Sequence, residues 1–200
     1  MEKGLKSTTM DTVASRLGMS KRTLYEIFGS KDGMINATLD EMEREGKEYV
    51  AQTFATTENV MEAIIKVFKH NRDNMRSINV NFFRDLDLYK DKRATYDKTR
   101  HARYDEVMKM FQKGVEEGMF RPDVDYGIQT RIMGIQMEGL KRMEEFFPPD
   151  IALLRVYDAI IVGFLRSIAS PKGMHILDRL THDLEHSDPP LPQNHKTPKP

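Results

Sequence analysis

The chain has 200 residues with 31 basic and 31 acidic side chains, so no overall charge draws it toward nucleic acid, membrane or any other charged partner. It has no cysteine, which excludes disulfides, thiol catalysis and cysteine-ligated metal. The most apolar run, VYDAIIVGFL, falls short of the roughly 20 residues of a membrane span and carries Asp158, and MEKGLKSTTM lacks the apolar core of a secretory leader, so a cytoplasmic protein without membrane partners is expected.

Strand signals are nearly absent, with no sustained alternation and no Asn-Gly or Asp-Gly hairpin, and the chain reads as all-α with no internal repeat. Ser7, Thr8 and Thr9 are candidate caps for a first visible helix that carries Val13, Ala14 and Leu17 on one face and stops at Gly18. Ser20 caps a second short helix, with Leu24, Ile27 and Phe28 expected to face inward, and Gly29 stops it. Ser30 caps a third, long helix from Lys31 to about residue 55, whose many acids read as a solvated face. Thr57 is expected to cap a fourth, with Val60, Ile64, Val67 and Phe68 as its stripe, ending near Arg76.

A shorter piece over 79–89 holds Phe82 and Phe83, and a charged segment then leads into a helix that reaches Val115. Gly118 and Pro122 mark a turn. Two more helices are predicted, over 124–145 and 149–170. Gly163 lies in the middle of the second, where it costs about 1 kcal/mol relative to alanine, which predicts a close helix crossing there. A weakly amphipathic piece follows Gly173, and SDPPLPQNHKTPKP, with five of the nine prolines, reads as a disordered tail.

Local charge is more informative than the total. Residues 1–31 hold six Lys or Arg against three acids, a modest basic footprint. The stretch TTMDTVASRLGMSKRTLYEIFGSK is a helix, a glycine-bearing turn and a second helix opened by a serine, the helix-turn-helix arrangement. Lys21 and Arg22 open that second helix, where they could reach guanine edges, and Thr23 and Tyr25 suit phosphate or thymine-methyl contacts. Thr9 and Lys31 lie at helix N-termini, which favour a phosphate. Spacing alone leaves an ordinary helical hairpin with surface lysines as an equal alternative.

The same residues carry a family resemblance. Thr8, Thr9, Val13, Ala14, Gly18, Ser20, Thr23, Leu24, Tyr25, Phe28, Ser30, Lys31 and Asp32 stand in the register typical of the TetR/AcrR transcriptional repressors, which the chain resembles over this stretch. EEGMFRPDVD and GFLRSIASPKG are similar to later landmarks of that family. The resemblance implies a helix-turn-helix head over 1–46, a helical ligand-binding and dimerisation body over 47–185, and a tail over 186–200. It implies a homodimer on a double-stranded palindromic operator, released by a small apolar inducer, with Thr9, Ser20, Lys21, Arg22, Thr23, Tyr25 and Lys31 on the DNA.

An inducer pocket is then expected among Phe68, Phe82, Met108, Phe111, Met133 and Met137, in a chain with 14 methionines. The dimer contact is expected at Ile132, Ile135, Val156, Ile160 and Phe164. The family has a helix ahead of the motif, of which MEKGLK matches only the end. A misassigned start, a trimmed chain or a truly shortened protein would each account for this, and if the helix is absent from the polypeptide, Val13, Leu17, Leu24 and Phe28 are expected to lose cover. This departure motivates an alternative function, a dimerising, ligand-binding module whose head does not bind DNA.

No catalytic constellation, phosphate loop, cofactor motif or metal site emerges. His182 and His186 share a helical face without a third ligand, Gly114 and Gly118 lack a phosphate-loop context, and His70 and His101 stand singly. An enzyme is not expected.

Overall fold

Three hydroxyl caps set the start of the molecule. Thr9, Ser20 and Ser30 each accept a backbone N–H three residues on, at 3.1, 3.1 and 2.9 Å. They open α1 (Met10–Leu17), α2 (Lys21–Phe28) and α3 (Lys31–Thr56). The computed structural model describes residues 8–76, 85, 91–148 and 150–185, the side chains of 91–103 and 183–185 excepted. The helix expected over 79–89 apart from Asp85, Phe82, the tail over 186–200 and the segment before Thr8 lie outside the described residues.

Thr57 does not cap the next helix. It closes α3 instead, its N–H and hydroxyl both donating to the Thr53 carbonyl oxygen at 3.1 and 2.6 Å. The cap of α4 (Val60–Arg76) is Asn59, whose Oδ1 accepts from the Glu62 N–H at 2.9 Å. Glu117, remote in sequence, accepts from the Val60 N–H at 2.7 Å and ties the start of α4 to the end of α5 (Asp91–Glu116).

Asp125 caps α6 (Tyr126–Gly139). The single helix expected over 124–145 is broken. A 3₁₀ turn at Leu140–Arg142 tightens the winding and leads into α7 (Met143–Phe146), which turns both Leu140 and Met143 inward. α8 runs Leu153–Ile168 and α9 Pro171–Glu185. Among the described residues there is no strand, only one isolated antiparallel bridge between Phe120 and Ala169.

The body has two cores. The larger joins α4, α5, α8 and α9 through Met61, Ile65, Phe111, Phe120, Leu165, Ile168 and Leu177. The piece expected to be weakly amphipathic is thus a structural helix: Leu177 and Thr181 are buried, and a Cβ on Gly173 would sit 2.0 Å from the Met119 carbonyl oxygen. The smaller core gathers Phe68, Leu140, Met143, Val156 and Tyr157. Beside it the buried Arg72 donates from Nε to both carboxylate oxygens of Asp158 at 2.9 Å, linking α4 to α8. No helix among the described residues is long and apolar enough to cross a membrane.

Candidate nucleic-acid interface

The geometry of the head begins with two glycines. Gly18 has φ 65°, and the bonds from the Gly18 N–H to Ser15 O and from the Met19 N–H to Ala14 O wrap off the end of α1. Gly29 ends α2 with a positive φ too, 70°, but with ψ −41° it lies outside the left-handed helical region. Between them only Gly18, Met19 and Ser20 separate α1 from α2. Gly33 completes the packing, because a Cβ there would lie 2.2 Å from the Phe28 carbonyl oxygen.

Met10, Ala14, Leu24 and Met34 form a small core that locks the first three helices together, with Val13 and Phe28 half-buried against it. Leu24 is fully buried. Ile27, expected inward, is 59% exposed, and Leu17 is 61% exposed. Three positions after Leu24, Ile27 stands about 60° to the side of the buried direction, away from Phe28.

α2 presents Lys21, Arg22, Tyr25 and Glu26 to solvent, with Thr23 half-buried. These positions fall in the i, i+1, i+4, i+5 pattern of one helical face. Thr9 is exposed at the start of α1, and Lys31 is half-buried at the start of α3. Both basic residues that open α2 are engaged within the chain. Lys21 Nζ donates to Asp11 Oδ2 of α1 at 2.8 Å, and Arg22 Nε to Glu26 Oε1 at 2.8 Å. The hydrogen bond and charge of Asp11 raise the Lys21 pKa above the ordinary lysine value. Sequence reasoning counted these acids without pairing them. The Arg22–Glu26 pair was readable from its i, i+4 spacing, whereas Asp11 needs the turn to bring it to Lys21.

The six residues expected to line a pocket do not share one cluster. Phe68 and Met137 belong to the smaller core, and Met108 and Phe111 to the larger, where Phe111 stacks on Tyr126 at 4.8 Å. Met133 is half-buried, and Phe82 lies outside the described residues. The five dimer candidates divide as well. Ile132 and Ile135 are exposed on α6, the latter at 73%, together with Ile128. Val156 and Ile160 pack in the smaller core and Phe164 against the larger, because α8 turns these positions toward its own chain. Among the described residues nothing lies within 4 Å of a Cβ built on Gly163, so they do not supply the close crossing predicted there.

His70 is not a lone side chain. It stacks on Tyr49 of α3 with ring centroids 3.8 Å apart and hydrogen-bonds Asn74 at 3.1 Å. His186 and the His101 side chain lie outside the described residues. Among the described residues no group of three metal-binding side chains comes together.

Comparison with known proteins agrees with the head. Residues 1–38 match the family described as bacterial regulatory proteins, tetR family. Over 139 residues the chain is 27% identical to the HTH-type transcriptional repressor KstR2 of Rhodococcus jostii (strain RHA1), covering 66% of this chain and 67% of that protein. Over 84 residues it is 30% identical to the uncharacterized HTH-type transcriptional regulator YvaF of Bacillus subtilis (strain 168), covering 42% of this chain and 44% of that one. Two solved structures share the fold. The ketosteroid transcriptional regulator KstR2 of Mycobacterium tuberculosis superposes with a TM-score of 0.57 at 22% identity, over 84% of this chain and 88% of that one. A transcriptional regulator from Cytophaga hutchinsonii ATCC 33406 does so at 0.59 and 17% identity, over 84% and 91%. The helix-turn-helix geometry and these relatives agree: the head matches the tetR family model over residues 1–38, the chain is similar to HTH-type transcriptional regulators, and it shares the fold of the two solved regulators.

Proposed function

We propose that the chain acts as a homodimeric repressor, docking two α2 helices in successive major grooves of a palindromic operator and leaving it when a small apolar ligand enters the body. The observation that carries this reading is the contrast within α2: Leu24 is sealed in the head, while Lys21, Arg22 and Tyr25 stand exposed to solvent. Lys21 and Arg22 occupy the N-terminal turn, where a docked recognition helix meets base edges, and guanine O6 and N7 are their natural acceptors. Ser20 fixes that first turn, and Thr23 and Tyr25 meet the sugar-phosphate backbone. Thr9 and Lys31, at the starts of α1 and α3, each anchor a phosphate.

Pairing of two copies is supported by the exposed stripe Ile128, Ile132, Ile135 on α6, spaced i, i+4, i+7, and by the open surface over Gly134 and Gly163. The relative from Rhodococcus jostii, itself named a repressor, favours repression over activation. Release follows if the ligand binds more tightly to a form in which α4 has shifted against α3, since α3 carries the head and packs on α4.

The test is binding to the DNA upstream of the protein's own gene. Replacing Lys21 and Arg22 together by alanine should weaken operator binding by about a hundredfold or more, at roughly 1–3 kcal/mol for each lost base contact. Equal affinity of the two proteins would remove α2 from the groove. A second reading, a dimerising and ligand-binding body whose head does not hold DNA, draws on the exposed apolar side chains of Leu17 and Ile27. It predicts no sequence-specific binding by the unaltered chain.

A further inference from the structure

We infer that Asp11 is a specificity-setting residue, which masks the charge of Lys21 from DNA of the wrong sequence and yields it only to a base edge that replaces the carboxylate. This rests on the reading of α2 as the groove-facing helix. The two residues lie ten positions apart on different helices, yet Lys21 Nζ and Asp11 Oδ2 are 2.8 Å apart. Their side chains are 50% and 67% exposed, so the pair stands on the surface that would meet the duplex. The contact is built in by the fold: the Gly18 turn, the Ser20 cap and the packing of Ala14 against Leu24 fix α1 relative to α2.

Asp11 also sits in the first turn of α1, beside the exposed Thr9 cap where a phosphate is expected. Its carboxylate therefore competes with DNA phosphate for two positive features at once, the α1 N-terminus and the Lys21 ammonium. On a non-matching duplex Lys21 can offer phosphates only a charge already neutralised by Asp11, and the acid itself repels the backbone. On a matching sequence Lys21 exchanges one oxygen acceptor for another, guanine O6 or N7, so the pair is released with little loss. The penalty imposed by Asp11 is thus larger on the wrong sequence than on the right one. Arg22, held by Glu26 at 2.8 Å within α2, follows the same arrangement more weakly, as an i, i+4 pair at the surface.

The experiment uses the full chain and two duplexes: the one that the unaltered protein enriches from a random pool, and a scrambled version of it. Affinity for each is measured over a range of salt. Asp11→Asn should bind the scrambled duplex several-fold more tightly, with a salt slope steeper by about 0.9 for each head, the value of one additional phosphate neutralised. Affinity for the enriched duplex should rise by less, so the ratio between the two falls, and Asp11→Glu should restore it. In a Lys21→Ala background the Asp11→Asn change should leave the ratio unaltered, which separates masking of Lys21 from simple repulsion of the backbone. An unchanged ratio and slope in Asp11→Asn, with the unaltered protein still preferring its enriched duplex, would overturn this inference alone. An unaltered protein that prefers no duplex over its scrambled version would overturn the α2 reading and this inference with it.

Discussion

Arg72 and Asp158 meet from 86 positions apart, with Arg72 only 2% exposed. Removing one partner of such a pair strands a buried charge, so Arg72→Met or Asp158→Leu alone should destabilise by about 3–5 kcal/mol, whereas the double replacement should recover most of that. Denaturant unfolding of the three variants checks this, and equal losses for single and double variants would count against it. Tyr157, next in the chain, has its phenol pushed up to about 12 by burial, with the Asp158 charge adding to the shift. As pH rises past about 10 the unfolded chain loses this proton first, so stability should fall between about 10 and about 12. Tyr157→Phe should flatten that part of a melting-temperature profile, and an identical alkaline decline in both proteins would refute the assignment. The Arg72 pair had a trace in the sequence. Arg72 falls four residues after Phe68 on the apolar stripe of α4, and Asp158 interrupts the most apolar run of the chain. Only their opposite signs on two inward faces link the two positions, and the sequence does not show that those faces meet.

Helix boundaries were most readable where a cap chemistry is local. Ser20, Gly18 and Gly29 frame α2 by contacts within a few residues, so the sequence placed it well. Ser20→Ala should cost about 1 kcal/mol of head stability through loss of the Thr23 N–H bond. α9 was undervalued for the opposite reason. Its own amphipathic pattern is modest, and what holds it is remote: Leu177 in the larger core, the Ser170 hydroxyl on the Gly118 carbonyl oxygen, and Gly173 against Met119. Leu177→Ala should lower stability by about 2–5 kcal/mol, a loss readable in thermal unfolding. A near-neutral result would mean that α9 is peripheral. The break at Leu140 was hidden because residues 124–145 keep a helical spacing of apolar positions, and only the demand of the smaller core on Leu140 and Met143 tightens the winding.

For the molecule as a whole, the all-α architecture followed from the sequence because helical periodicity is a property of each segment. Assignment of faces did not, since a helix in a bundle has two apolar sides and the sequence does not say which one meets its own chain. Val156 is buried and Ile160 and Phe164 are half-buried against the two body cores, while Ile128, Ile132 and Ile135 stay open. Ile135→Glu should therefore shift the protein from dimer to monomer in analytical ultracentrifugation while leaving helix content intact. Dimers of unchanged stability would move the interface elsewhere. The most direct test of the central claim is a hydroxyl-radical footprint of the full chain on its enriched duplex. It should show two symmetric protected half-sites centred about one helical turn of DNA apart, both lost in the Lys21→Ala/Arg22→Ala protein. A single asymmetric footprint, or one that survives the double replacement, would contradict it.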